Sequence, residues 1–370
     1  MVAGETQADD GGQSRGGDGA GQGRPGMRAL RRLPLRRIVF LTAAVIGLYI
    51  VWPSLVNVLS QAPELRAISW VWFVIMGLLE AASFACYWGM TRLTLAEPRW
   101  FVVATTQLAG NAFSRIVPGG AASGGSAQYQ MLVTAGASPA RTVTGLTATG
   151  MFSGAVLFAL PVLSLPAILY GVPVQRNLAR AAEFGAVMFV LTLAAGAVLL
   201  LTKRPLELVG RVVQAVLNRL RRHHPARTDI PAHLVEERDL IRSVLGDKWW
   251  QALGFAAGNW LFDFLALLAA LAATGTKPPH VSLVLLAYVV AALLGMVPLT
   301  PGGLGFVEVG LTATLGLAGI ATRDATVATL AYRLVAFWLP IPFGLLAFTA
   351  FRRRFGRFTK GRPSSLASGA

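Results

Sequence analysis

The chain has 370 residues, of which 54% are hydrophobic and only 14% charged, and its mean hydropathy is +0.58. That much apolar side chain exceeds what a water-soluble fold of this length can hide, so a soluble globular class is excluded and an all-α polytopic membrane protein is indicated. The formal net charge of +16 raises nucleic acid as a partner, but the basic residues stand beside apolar runs, as orientation signals and contacts with anionic lipids do, and no nucleic-acid role is expected.

In chain order, residues 1–27 are polar and Gly-rich with no apolar core behind a charged start, and predict a disordered cytoplasmic tail, not a cleavable signal. A membrane domain over 28–355 follows. Its apolar runs cover about 38–58, 70–91, 100–137 interrupted at Pro118, 142–171, 183–202, 249–273, 282–319 interrupted at Pro301, and 324–351. Arginines at 28, 31, 32, 36 and 37 precede the first run, Lys203 and Arg204 follow the fifth, and Arg352, Arg353 and Arg354 follow the last. Basic flanks belong in the cytoplasm. All three clusters reach that side only if each interrupted run enters and leaves the membrane on one face, which predicts six full spans plus two re-entrant hairpins, with both termini cytoplasmic in a cell membrane. Only Arg66, Arg176, Arg180, Lys277 and Arg323 then fall outside, with Arg115 and Arg333 within the membrane.

Between spans, the 203–248 loop carries Val209, Val213, Val216 and Leu220 at helical spacing with Arg211, Arg219, Arg221 and Arg222 elsewhere around the helix, the pattern of an amphipathic helix on the cytoplasmic leaflet. His223, His224 and His233 in that loop lack the cysteines or tight carboxylates that complete a metal site, and the lone Cys86 excludes an intrachain disulfide. Trp52, Trp70, Trp72, Trp100, Trp249 and Trp250 fall near span ends, as interfacial anchors do. Gly150 and Gly154 form a Gly-x-x-x-Gly pair, which predicts close helix packing. Residues 356–370 are a short basic tail, expected to be disordered.

Pro118-Gly119-Gly120 and Pro301-Gly302-Gly303 lie 183 positions apart, and the same offset without gaps pairs Gly136 with Gly319 and Glu80 with Asp263. This points to two repeats, about 66–171 and 249–352, of opposite sense in the membrane. Inverted repeats with a broken helix at corresponding places mark transporters, because non-helical backbone survives at membrane depth only inside protein or beside a cavity. The simpler alternative is that Pro and Gly kink ordinary helices.

The strings VPLTPGGLGFVEVGLTATLGLAG and LAYRLVAFWLPIPFG, with IVPGGAASGGSAQYQMLVTAGAS in the first half, resemble the lysylphosphatidylglycerol synthase transmembrane-region family over roughly residues 38–352. The Pro-Gly-Gly-Leu-Gly-x-x-Glu motif at 301–308 and Tyr332-Arg333 carry most of the resemblance. It implies a bundle similar to the lipid-translocating part of the multiple peptide resistance factor, which moves aminoacylated phospholipid between leaflets. Many relatives have charged residues soon after the first Pro-Gly-Gly, where this chain has Ser126, Gln128 and Gln130. The soluble aminoacyl-transfer domain of bifunctional relatives is expected to be absent, so the chain is not expected to be an enzyme. No G-x-x-x-x-G-K-[ST] loop is present either, and no cofactor is expected.

Candidate site residues follow from charge and backbone freedom. Arg115 precedes the first tip and Glu308 follows the second, so the two are expected near each other. A charge at the bilayer centre costs about 2.5–3.5 kcal/mol on insertion scales and needs a partner or a wet cavity. Arg115 and Arg333 match phosphate oxygens, with Glu308 as their counter-ion in an empty site; the alternative is a structural ion pair. Gly119, Gly120, Gly302 and Gly303, behind Pro118 and Pro301, allow close approach of backbone N–H groups to an anion. Glu80 and Asp263 are expected at matching depth, as proton-coupling groups or as hydrogen-bonding structural acids. The expected function is movement of a phosphate-bearing amphiphile, an aminoacyl-phospholipid or a polyprenyl-linked envelope precursor, between leaflets. The alternative is a non-catalytic partner or regulator of a separate lipid-modifying or glycosyltransferase enzyme. Expected partners are anionic or phosphate-bearing membrane lipids, such an envelope enzyme, and a second copy of the chain.

Overall fold

The structure, a computed structural model, describes residues 62–164 apart from Pro98 and Pro118, residues 246–356 apart from Pro279 and 297–299, and isolated positions between 180 and 239. The apolar run at 38–58, nearly all of that at 183–202, the amphipathic segment of the 203–248 loop and the two tails lie outside the described residues. Every regular element among the described residues is helical: α1 (Ala62–Ala67), α2 (Trp70–Leu95), α3 (Trp100–Ile116), α4 (Ala121–Thr134), α5 (Pro139–Ala159, extended by a 3-10 turn to Ser164), α6 (Trp249–Ala273), α7 (Val281–Met296), α8 (Phe306–Leu317), α9 (Thr322–Arg333) and α10 (Pro340–Phe355). A π-helical segment, Leu334–Trp338, joins α9 to α10.

Among the described residues, four stretches are long and apolar enough to cross a membrane: Trp70–Leu95, Pro139–Ser164, Trp249–Ala273 and Thr322–Phe355. Besides the 6-residue α1, four helices are shorter. With 17, 14, 16 and 12 residues, α3, α4, α7 and α8 rise about 18–26 Å each at 1.5 Å per residue, short of the roughly 30 Å hydrocarbon core.

They pair instead. In the first hairpin, Ser123 Oγ reaches Phe113 O at 3.5 Å, a Cβ on Gly124 would stand 2.4 Å from Gly110 O, and Arg99 Nη2 donates to Ala135 O at 3.0 Å. One partner rises in number as the other falls, so α3 and α4 run antiparallel. The second hairpin repeats this arrangement, with Gly303 against Gly295, Gly310 against Leu294 and Thr314 Oγ1 donating to Ala287 O. Each hairpin's second helix ends on a positive-φ glycine, Gly136 at 97° or Gly319 at 91°. The following N–H then reaches back five residues, Ala137 N to Leu132 O and Ile320 N to Leu315 O, both at 3.1 Å, closing the helix end in the same way at the 183-residue offset.

The hairpins point at each other along the α9–α10 helix. Ile320, Ala325 and Ala328 lie in a cluster with Val284, Leu311 and Leu315 of the second hairpin, whereas Phe351 lies in a cluster with Val102, Leu132 and Ala135 near the open end of the first. Their open ends therefore sit at opposite ends of that helix, with the tips between. Helices α2 and α6 pack antiparallel beside them, locked by Ser83 Oγ donating to Asn259 O at 2.9 Å and Asn259 Nδ2 donating to Ser83 Oγ at 2.7 Å.

The first hairpin's open end is held by Glu97, whose Oε1 accepts from Arg99 Nε at 2.7 Å. That hydrogen bond holds the Glu97 carboxyl below its ordinary value, so the latch contributes stability above the unfolded-state value and loses it as pH falls through the depressed one. Arginines stack on aromatic rings around this rim, Arg92 over Trp100 at 4.7 Å and Arg354 over Phe101 at 4.9 Å. Trp70, Trp100, Trp249 and Trp250 are exposed at helix starts, while Trp72 packs against the core.

Among the described residues the expected close packing at Gly150 and Gly154 is not seen: a Cβ at either meets none of them within 4 Å. The close approach on α5 is one turn earlier, where a Cβ on Gly145 would stand 2.9 Å from Thr94 O, next to the Thr94 to Thr149 hydroxyl contact of 2.7 Å. Substitution separates these cases. Gly124→Ala should cost about 1–3 kcal/mol, since its Cβ meets fixed backbone, whereas Gly150→Ala should cost nothing; thermal midpoints of the two purified variants in one detergent test the contrast.

Candidate functional site

The two broken tips meet, and glycine lets them. Gly302 has φ +60°, and a Cβ there would stand 2.4 Å from Phe337 Cε2 and 3.3 Å from Arg115 Cα. A side chain at this position would push the second tip away from both the π segment and the end of α3. At the first tip, Gly119 and Gly120 have φ of +105° and +51° with no tight neighbour, so their role is conformational. Pro118 lies outside the described residues, and Pro301 opens the 3-10 turn Pro301–Gly303.

Arg115, in the last turn of α3, reaches across this junction. Its Nη1 donates to Ala336 O at 2.7 Å and also to Phe337 O. Those carbonyls are available for a reason written in the sequence. Pro340 stands four residues after Ala336 and Pro342 five after Phe337; neither has an N–H to return, and the helix widens to π geometry just before them. The guanidinium supplies a donor that the prolines withhold.

Arg333, 8% exposed, holds the other side. Its Nε donates to Glu308 Oε1 at 2.8 Å and its Nη2 reaches Gly302 O at 3.4 Å. Glu308 Oε2 accepts from Gly305 N at 2.7 Å, so this carboxylate also caps the start of α8. Both guanidiniums lie on the ring of Phe337, Arg333 at 4.2 Å and Arg115 at 4.9 Å from its centroid. Glu308 was expected beside Arg115 and as counter-ion to both arginines; its ion pair goes to Arg333, while Arg115 donates to the carbonyls of Ala336 and Phe337.

The remaining acids join the same cluster. Asp263 on α6 accepts from two tyrosines, Tyr288 Oη at 2.5 Å and Tyr332 Oη at 2.9 Å. Glu80 on α2, 6% exposed, lies beside Asp263, and its Oε1 has no hydrogen-bond partner. Arg115 lies within electrostatic range of both acids and of Arg333. Residues from six separate segments of sequence thus converge on one buried polar centre. Tyr288, Tyr332 as a hydrogen-bond donor, and Phe337 were not singled out from sequence. Tyr288 had a signal, since it and Ser282 are the polar-capable residues of the otherwise aliphatic α7. Phe337 had none beyond its place before two prolines.

Comparison with known proteins places this geometry. The profile described as lysylphosphatidylglycerol synthase TM region matches residues 39–344. The chain belongs to that family. The match spans both hairpins and every charged residue of the centre. Among curated proteins, two matches are to UPF0104 membrane proteins of Methanothermobacter thermautotrophicus, at 27% identity over 150 residues and 30% over 111. These alignments cover 39% and 30% of this chain, and 44% and 31% of the relatives' length.

Within this family fold, the Glu308–Arg333 pair is tied to the folded state through two other contacts. Glu308→Gln leaves a buried guanidinium without its counter-charge and should cost about 3–5 kcal/mol, with the double change Glu308→Gln, Arg333→Gln recovering part of the loss. Denaturation of the single and double variants in detergent measures this coupling; additive losses would show that the pair is independent.

Proposed function

We propose that the protein is an integral membrane lipid transporter of flippase type, moving a phosphate-bearing amphiphile between leaflets of the cell membrane, with both termini in the cytoplasm. The observation that carries this reading is the pair of arginines on one phenyl ring where two broken helices meet. A purely structural ion pair needs one arginine for Glu308, and Arg333 fills that role. Arg115 brings a second positive charge to the same ring and donates to main-chain carbonyls instead of a carboxylate. Two guanidiniums held near each other suit the oxygens of a phosphate, which would take Arg333 from Glu308 as it enters. The α4 face starting at the first tip is also exposed and either small or polar, through Ala121, Ala122, Gly125, Ser126 and Gln130, as the wall of a headgroup path would be.

On this reading the hairpins are re-entrant, the first open to the cytoplasm and the second to the outside. Their short helices and opposed open ends support that orientation. Both classes of cargo, aminoacyl-phospholipid and polyprenyl-linked precursor, present a phosphate on a lipid tail, and it is the phosphate that the arginines would recognise.

Topology and site are tested separately. Single cysteines at Ser138 and at Ala321, in a Cys86→Ala background, should react with an impermeant thiol reagent from opposite sides of the membrane; reaction from one side alone defeats the opposed-hairpin topology. For the site, Gln at Arg115 keeps an amide donor for the π-segment carbonyls and removes only the charge. Arg115→Gln should therefore fold at near-parent yield, while Arg333→Gln, which alone would strand the Glu308 carboxylate, is made together with Glu308→Gln; both proteins should lose at least tenfold in the rate at which a fluorescent short-chain phosphatidylglycerol changes leaflet in proteoliposomes. Lysine at either position should restore part of it, having charge without the planar fork. Parent-rate movement by both Gln variants would return the arginines to a structural role.

A further inference from the structure

Glu80 and Asp263 face each other across the α2–α6 interface, and their hydrogen-bond count is informative. Asp263 spends both oxygens as acceptors, Oδ2 for the Tyr288 hydroxyl and Oδ1 for the Tyr332 hydroxyl. Two neighbouring buried carboxyls do not both hold a negative charge, and Asp263, whose charge two tyrosine hydroxyls stabilise, leaves Glu80 as the one that keeps a proton. Glu80 Oε1 is buried without a partner, which an uncharged carbonyl tolerates far better than a carboxylate.

Among the described residues, the titratable and charged groups packed around the pair are these. Asp263 comes from α6, Tyr288 from α7, Tyr332 and Arg333 from α9, and Arg115 from α3. Glu308 of α8 enters through Arg333. Helix α5 brings none to this face, its one charged residue being Arg141 in its first turn.

We propose that Glu80 and Asp263 share one proton in the empty site and take up a second when a phosphate-bearing anion binds, so that anion and proton cross together. The inference rests on the transport reading given above and deepens it by naming the driving ion. Charge counting supports it. Arg115 and Arg333 contribute two positive charges, Glu308 one negative charge, and the singly protonated acid pair another, so the empty centre is neutral. A phosphodiester with one negative charge unbalances a centre packed in apolar surroundings, where an excess charge is most costly. A proton from the aqueous side to which the site is open, added to Asp263, restores neutrality. It leaves to water on the other side when the anion does, so the acid pair returns to its starting state and no other co-reactant is needed.

The geometry also links the two events. A proton on an Asp263 oxygen weakens that oxygen as an acceptor and favours release of the tyrosine hydroxyl it holds. Tyr332 adjoins Arg333 on α9, at the start of the π segment that carries Phe337 and the carbonyls of Arg115. Release of Tyr332 thus frees the residue next to the arginine that has to leave Glu308.

The test uses the full chain in liposomes containing fluorescent short-chain phosphatidylglycerol. A pH gradient of one unit should drive the probe toward an asymmetry between leaflets of about tenfold, the limit for one proton per lipid, while a potassium diffusion potential at equal pH should have no effect because the loaded centre is neutral. Whatever rate Glu80→Gln retains should be indifferent to the gradient. Movement of the probe with equal final leaflets under the gradient overturns proton coupling and leaves the transport reading intact, and a gradient response that persists in Glu80→Gln overturns the acid pair as the proton site. A parent that moves no probe defeats both. The shared proton has its own readout, independent of transport and of any substitution. Infrared spectra of the detergent-purified parent at neutral pH should contain a protonated-carboxyl C=O band that shifts when glutamate is supplied with a 13C carboxyl group; absence of that shifted band overturns the proposal.

Discussion

The structure depends on a single constraint: polar backbone and charged side chains placed among apolar helices must satisfy one another. Breaking a helix at each tip strands backbone groups, and Pro340 strands one more carbonyl in the facing helix. The guanidiniums of Arg115 and Arg333 answer these deficits, each bonding main-chain oxygen from an element distant in sequence. Unsatisfied groups in an apolar medium cost several kcal/mol each. The arginines and the broken backbone are therefore mutually dependent, which ties the tips of two hairpins to one another more tightly than apolar packing alone would.

Much of this was legible in sequence because it rests on glycine, proline and charge, whose constraints are local. The tips at 118–120 and 301–303, the helix ends at Gly136 and Gly319, and the juxtaposition of Glu80 with Asp263 all follow the one offset. Which of the two arginines takes the direct ion pair with Glu308 was not legible. Proximity along the chain places Glu308 near the second tip without saying which arginine the third dimension brings, and the competing demand of the π-segment carbonyls decides it. Small residues permit close packing, but a neighbour must be at hand to make it happen, and among the described residues the neighbour on α5 is at Gly145.

The frame is close to symmetric, while the chemistry on it is not. α4 ends at Thr134 and α8 at Leu317, and α5 begins at Pro139 and α9 at Thr322, each pair separated by the repeat offset. On that register Arg115 corresponds to Pro298 and Glu308 to Gly125. The first tip supplies a cation and the second an anion, so each half is incomplete without the other. Such division explains why the buried centre forms only where the tips meet, and why neither repeat alone carries a balanced set of charges.

The same register gives Gly150 and Gly154 a meaning that packing did not. They correspond to Arg333 and Phe337, and Thr149 corresponds to Tyr332. Where the second half places a cation, a ring and a hydroxyl, the first half places two glycines with no close neighbour among the described residues and a threonine bonded to Thr94. A second copy of Arg333 on α5 would add a charge without a second Glu308 to balance it, since the position equivalent to Glu308 is itself glycine. The duplicated backbone thus keeps its helix lengths and turn glycines, because these set where the tips meet, and sheds the duplicate charges, because apolar surroundings tolerate one neutral cluster more readily than two unbalanced ones. In the proposed transport cycle the two frames can exchange shapes around a site that stays in one place, with its chemistry held mainly by the second half and completed by Arg115 and Glu80 from the first.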